Sequence, residues 1–563
     1  MSASFTLIRF KPLLLVLAAL PGWGELPHQV VGNAVADRFR PAGFFDQRLT
    51  GVLGERMRAA REGYLERADQ ALLAAFRDQS GVESKATEQL GRFLEAAAIA
   101  YDYSHDPNLK TVMDRAGREL ESAHRAADLH GYRGELLGLF AYYRITGDKA
   151  ALAESKRIAD LVVDQLSKSI PVQDQMAPTF IEPLVNVYRY TGYPRYLEFS
   201  KRAAGSLLQS ASRTPLAYRN DALPALSGLV ELYRLTGNET YLARVVSVWP
   251  TLRDSPFFLS VKARFLHAGD LPQLADPCAT CLWIQLTASL LRLTGQAQYG
   301  QELEHIIYNQ LFAAQDPRTG NVFAAIPLNG SKKAGSSTAA CAPDEALAIA
   351  MIPSAVWGRD ARGIVVVLYT PGRATVRLRR RGAVQLYSES AYPESGEILL
   401  HVEPDRNLRF PLRLRVPEWT SSFIAESGKT RIAGKPGTFL TITREWRRGD
   451  TVKISIDMTA HVIEGPPSSG VIAIARGPQV LALGKTLNPH IADISAPVSA
   501  SINFARLKLT SLDTKLPATW AGNQAYSVPG EYNGKPGDLV LVPFAEETDY
   551  RVWIQKPGRT AGK

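Results

Sequence analysis

Cysteine is nearly missing from this chain, with three residues in 563. That scarcity excludes a disulfide framework and leaves room for one local cross-link or one metal site. Long apolar runs are missing as well. After the N-terminus no segment reaches the ~18 apolar residues that a membrane-spanning helix needs, which excludes stable membrane insertion through such a helix. Charge is not segregated by sign: 65 Lys and Arg stand against 55 Asp and Glu, a formal net charge of +10. The densest basic run, "VRLRRRG" (Val376 to Gly382), lies among strand-like residues. It reads as a solvated strand face or turn, and no nucleic-acid partner is expected. With 45% hydrophobic and 21% charged residues the composition is that of a soluble globular protein. A chain of this length divides into roughly two to four domains.

The first residues have the pattern of an export signal. Arg9 and Lys11 precede the apolar run "PLLLVLAAL", which "PGWG" then breaks. A signal peptide over residues 1–24 implies a periplasmic or secreted protein.

A repeat organises the N-terminal half. "YYRITGDKAAL", "VYRYTGYPRYL", "LYRLTGNETYL" and "LLRLTGQAQYG" share Arg-x-Thr-Gly, with arginines at Arg144, Arg189, Arg234 and Arg292. "YDYSHDPNLKTVM", from Tyr101, looks like a degenerate earlier copy. Each copy follows one apolar helical stretch and precedes another. The glycines (Gly147, Gly192, Gly237, Gly295) suit the left-handed position that ends a helix. One helical hairpin therefore recurs about every 45 residues, and such hairpins bury their apolar faces only by stacking, as an open solenoid or a closed α/α toroid. Near Pro353 the texture changes to short, alternating, β-branched segments such as "GIVVVLY", "EILLHVE" and "TVKISID", as in a β-sandwich. The expected division is a helical domain over residues 44–353, a β-sandwich over 354–484 and a β-rich region over 485–563.

Two of the three cysteines stand in "DPCATC", Asp276 to Cys281, at the start of a helix; the third, Cys341, precedes the helical run "EALAIAMI". Cys278 and Cys281 are three apart and face one side of a helix. With Asp276 and Cys341 they form a four-donor set whose softness suits zinc rather than magnesium or calcium. A disulfide and a buried pair of small core residues are the alternatives.

The repeat, the cysteines and the β segments together resemble the family 127 glycoside hydrolases, the β-L-arabinofuranosidase-like proteins. "DPCATCLWIQL" is similar to the family's Glu-Thr-Cys segment ahead of a Trp-containing helix, with Asp276, Cys278 and Trp283 at the matching places. "YGQELEHIIYNQLF" looks like its Glu-x-x-x-Tyr-Asn helix, and "FPLRLRVPEW" like a strand of its sandwich. The resemblance implies an (α/α)6 barrel followed by a β-sandwich, an oligosaccharide or polysaccharide substrate, a zinc-bound cysteine nucleophile and a separate glutamate as acid/base. The chain departs from that pattern at three places. Where the family has adjacent cysteines, Ala340-Cys341-Ala342 offers one, which is the nucleophile or the companion ligand depending on a one-residue gap. "SVKARFLHAGD" holds no glutamate; Asp270 is its best substitute, ahead of His267. "NVFAAIPL" lacks the family's aromatic residue. Cys281 is then the sulfur that compensates for the missing neighbour of Cys341.

The expectation is thus a retaining glycosidase with Cys341 and Asp270 as catalytic groups, Glu304 and Glu182 on the sugar, and zinc on Asp276, Cys278, Cys281 and Cys341. Two other readings compete with it. One is an inactive carbohydrate-binding protein with a structural zinc. The other is a polysaccharide lyase using His130, Tyr132 and Arg133 on a similar scaffold.

Overall fold

The computed structural model describes residues 27–78, 83–123, 127–168, 176–210, 222–253, 277–335, 341–464, 471–491, 500–502, 510–512, 522–532 and 535–555. The export signal expected at 1–24, together with His267, Asp270 and Asp276, lies outside them.

The helical domain comprises α1 (Gly51–Ala59), α2 (Asp69–Arg77), α3 (Glu83–Ser104), α4 (Pro107–Ala123), α5 (Leu129–Thr146), α6 (Lys149–Leu166), α7 (Ile181–Thr191), α8 (Pro194–Ser210), α9 (Ala222–Thr236), α10 (Glu239–Arg253), α11 (Pro277–Thr294), α12 (Ala297–Ile306), α13 (Phe312–Ala314) and α14 (Ala342–Ala350). α3, α5, α7, α9, α11 and α14 each pack on the next, and α14 returns onto α3. The ring is closed, so the hairpins form a toroid and not a solenoid. α4, α6, α8, α10 and α12 back the inner helices they follow, and α1 backs α14. The composition of the helices sets these positions. α9 is buried along nearly its whole length, as an inner helix must be, whereas α4 buries only Leu109, Val112, Met113, Ala116, Gly117 and Leu120.

The repeat ends α5, α7, α9 and α11 by one local device. Gly147, Gly192, Gly237 and Gly295 have φ of 76°, 69°, 75° and 63°. The threonine before each glycine donates its hydroxyl to the carbonyl four residues back and accepts the N–H two residues on, closing the turn. The degenerate copy keeps the device with other residues: Ser104 plays the threonine, and His105 takes φ of 50°. The repeat arginines have their own task. The chain over residues 30–39 crosses the C-terminal ends of α7, α9 and α11, with backbone bonds to Arg189, Arg234, Leu235 and Arg292. Arg189 holds Asn33, while Arg234 and Arg292 share Asp37.

The sandwich has a five-stranded and a seven-stranded sheet. Alternation sends Ile398, Leu400 and Val402 of one sheet, and Phe410, Leu412 and Leu414 of the other, into its core. Two expected boundaries need correction. Arg40–Pro41 and Gln47–Leu49 pair with sandwich strands, so helices begin only at Gly51. The division expected at residue 484 falls inside a third sheet, because Gln479–Gly484 pairs with Lys535–Pro543 and Asp549–Arg551. That sheet starts at His461, and it also recruits Asn329–Ser331 from the helical domain. Such pairing is long-range, and local composition does not announce it.

Candidate functional site

The six inner helices bring their N-terminal turns to one end of the ring. Amide N–H groups left free in each first turn give that end a positive potential suited to thiolates and other anions. The segments leading into α3, α5, α7, α9, α11 and α14 lie wholly or partly outside the described residues.

α3 supplies the charged wall of this mouth. Glu88, Arg92 and Glu95 recur at positions i, i+4 and i+7 and so share one face of a helix that is otherwise rich in alanine and leucine. Arg92 is buried and donates Nε and Nη2 to Asp344 Oδ1 of α14, at 2.8 and 2.5 Å, and Nη1 to Glu95. α3 and α5 touch backbone to backbone: a Cβ on Gly91 would stand 2.2 Å from the Gly134 carbonyl carbon. This approach places Arg133 of α5 near Arg92. Burial first, and Arg92 second, lower the Arg133 pKa. Its Nε donates to the Thr179 carbonyl at 3.3 Å.

Glu182, in the first turn of α7, is the titrating group of the mouth. Burial, and behind it the charge of Glu231, raise its carboxyl to about 7 against the pull of Arg133. Glu88 is raised for the same first reason, burial, while Arg133 and His130 oppose it. Two acids and two guanidiniums thus act on one another electrostatically at this end of the ring, with one acid poised near neutrality.

The cysteines close the ring between α11 and α14. Cys278 and Cys341 meet as a disulfide of S–S 2.08 Å, both half-buried at their helix N-termini. Cys281, one turn deeper, is fully buried, with its sulfur 3.7 Å from Arg92 Nη2. Burial holds its thiol well above the usual range, followed by the like charge of Asp344, so it is a neutral thiol here. Zinc asks for four deprotonated or neutral donors converging on one point. Among the described residues no three His, Cys, Asp or Glu side chains do so. Two of the three sulfurs are bonded to each other and the third faces a guanidinium, while Asp276, the fourth expected donor, lies outside the described residues.

Of the residues singled out from the sequence, Cys278, Cys281, Cys341 and Glu182 gather at the mouth. Glu304 does not and is corrected: it is fully buried between the helical domain and the sandwich. Its Oε1 accepts from Arg415 and, at 2.8 Å, from Tyr392, and its Oε2 accepts from Trp419 at 3.1 Å. Three protein donors engage its carboxylate, and it has no exposed surface, so it stands apart from the mouth. Arg92, Glu88, Glu95 and Asp344 complete the wall. The spacing of "EQLGRFLE" carried a signal for the first three, as charges on one face of an apolar helix.

Family profiles match the chain in two places: the catalytic domain of family 127 β-L-arabinofuranosidases over residues 134–349, and the middle domain of that family over 363–458. Together they cover more than half of the chain. No curated protein sequence matches it. Among solved structures, a family 127 β-arabinofuranosidase superposes with a TM-score of 0.76 at 20% identity, over 92% of this chain and 98% of the other. A family 127 β-L-arabinofuranosidase from Geobacillus stearothermophilus T6 superposes with a TM-score of 0.73 at 17% identity, over 91% and 100%. These two likenesses are of fold.

Proposed function

We propose that this chain, which belongs to the family 127 glycoside hydrolases of the β-L-arabinofuranosidase type, hydrolyses an arabinofuranoside-type bond at the mouth of its helical ring. The observation that carries the reading is the meeting of Cys278 and Cys341 at two helix N-termini, beside the buried Arg92–Asp344 pair. In the reduced protein Cys341 is the nucleophile. Its thiolate, stabilised by the helix end, attacks the anomeric carbon, and water later displaces it with retention of configuration. Asp270 protonates the leaving oxygen. Glu182, with a carboxyl poised at about 7, holds a sugar hydroxyl and is the alternative acid. The same reading gives Asp276, Cys278, Cys281 and Cys341 to one zinc in the reduced protein, which elemental analysis after reduction tests as about one equivalent.

The lyase reading of His130, Tyr132 and Arg133 finds no support in a family of glycoside hydrolases. The inactive carbohydrate-binding reading keeps one observation in its favour: the Cys278–Cys341 disulfide occupies the nucleophile, and the export signal proposes an oxidising compartment, periplasmic or extracellular, where it would persist. Assaying aryl arabinofuranosides with and without a thiol reductant separates the two. Hydrolysis that appears on reduction supports the enzyme; binding without hydrolysis in both conditions supports the inactive form. Asp270→Asn and Glu182→Gln then divide the acid role. The true acid loses about 100-fold or more in kcat, and the alkaline fall in rate near pH 7 disappears in Glu182→Gln only if Glu182 is that acid.

A further inference from the structure

The basic run that the catalytic reading leaves unused forms part of a cleft. On the outer face of the five-stranded sheet a concavity of about 650 Å³ is lined by Arg359, Arg362, Arg379, Arg381, Arg409 and Arg413. Arg409, Pro411 and Arg413 share one face of the strand Leu408–Arg415, and Glu445, Thr443 and Thr441 stand opposite them in turn on the paired strand. Arg379 and Arg381 come from the turn between two strands of the other sheet, which overhangs the edge. One carboxylate, Asp360, lines the cleft and is already engaged, while Glu445, across from Arg409, pairs with Arg447. Asp360 Oδ1 accepts the backbone N–H groups of Arg362 and Gly363, and its Oδ2 accepts from Arg413 at 3.1 Å. Arg359, Arg362, Arg379, Arg381 and Arg409 have no ion pair among the described residues. Arg40 stands directly across from Arg359 on the neighbouring strand and adds a further like charge. Six like charges gathered in one concavity, five of them without an ion pair, repel one another, an arrangement that an anionic ligand relieves.

We propose that this cleft is a second carbohydrate site, specific for an acidic glycan whose carboxylates are read by the guanidiniums. Guanidinium forks match carboxylates bidentately, and the threonine hydroxyls opposite suit the ring hydroxyls of a sugar. The walls argue against the other polyanions. The exposed large apolar side chains of the described residues are Val30, Phe45, Leu161, Tyr193, Val246 and Tyr387, and none lines the cleft. A single-stranded nucleic acid would lack aromatic platforms for its bases, and a membrane surface would meet a concavity with no apolar rim to insert. The volume lies within the range of ordinary ligand pockets. The site is independent of turnover at the barrel mouth, so it stands or falls separately from the proposed hydrolysis.

The test is calorimetric titration of the full protein with oligogalacturonate, neutral arabino-oligosaccharide, duplex DNA and anionic phosphatidylglycerol vesicles at ~0.15 M salt. The expected result is binding to oligogalacturonate in preference to the other three. Arg379→Glu with Arg409→Glu should weaken it about tenfold or more. Lys149→Glu with Lys201→Glu, the same charge change on α6 and α8, should weaken it less than about twofold. If the reversal variant fails to fold, Arg379→Gln with Arg409→Gln takes its place, with the same ordering expected. Equal losses in the two pairs would reduce the effect to net charge and overturn the proposal. Tighter binding of DNA or vesicles, or no binding of oligogalacturonate, would overturn it too.

Discussion

Glu304 and Arg415 have no exposed surface, and their ion pair sits where the helical domain meets the sandwich. Arg415 also donates Nε to the Val367 carbonyl and Nη1 to Gln301. Glu304→Gln keeps the shape and removes the negative charge, which leaves a buried guanidinium without its counter-ion. The expected loss is about 3 kcal/mol or more in a urea titration, with the barrel mouth unaffected. A change below about 1 kcal/mol would contradict this account of the interface. Glu135 of α5 makes a pH-dependent prediction. It is buried, and burial first, then Glu154, raises its carboxyl to about 8. The unfolded chain releases that proton near the ordinary 4.5, while the folded chain keeps it until about 8. Between these values the native state binds more protons, so this group makes stability fall as pH rises across the window. Glu135→Gln should flatten that slope, with a gain of the order of a few kcal/mol at the upper end. Denaturation midpoints measured from pH 4 to 9 in wild type and variant provide the check. These two residues also show what one position in a sequence withholds. Glu304 looked available on a helix face; its partners Arg415, Tyr392 and Trp419 arrive from strands and loops about a hundred residues away.

At the scale of elements, the helix ends were the most legible feature, because their chemistry is local. A threonine hydroxyl and a left-handed glycine close α5, α7, α9 and α11 within four residues of chain, and the repeat displays both. Gly147 isolates the backbone contribution, since a Cβ there meets nothing within 4 Å while φ is 76°. Gly147→Ala should therefore destabilise by about 1 kcal/mol from backbone strain alone, and Gly147→Asn by less. Thermal melts of the two variants decide it; an unchanged midpoint in Gly147→Ala would refute the helix-end role. Sheet boundaries were less legible. The strand Gln479–Gly484 reads like the sandwich strands before it, yet besides Val471–Arg476 its partners lie beyond residue 534. The helix face Glu88, Arg92 and Glu95 was present in the spacing, but its inward direction follows from ring closure by α14. The approach of Gly91 to Gly134 also counts here, because it fixes how closely two guanidiniums stand at the mouth.

For the whole molecule, closure of six hairpins brings separated residues to one end of the ring. Cys278 and Cys341, 63 positions apart, become neighbours only because α14 fills the last place in the ring between α11 and α3. The family likeness pointed to this neighbourhood from the sequence. The state of the sulfurs did not follow from it, since a metal-held pair and a disulfide use the same two positions. Reduction is the lever that separates them, and it leaves the fold's main supports, the helix-end caps and the Glu304–Arg415 pair, untouched. The most direct test of the central claim is the initial rate of aryl β-L-arabinofuranoside hydrolysis by reduced wild type and reduced Cys341→Ser. The account predicts measurable turnover in the wild type and loss of about 100-fold or more in Cys341→Ser, with the folded far-ultraviolet spectrum retained. Equal rates in the two proteins, or no hydrolysis by reduced wild type, would contradict it.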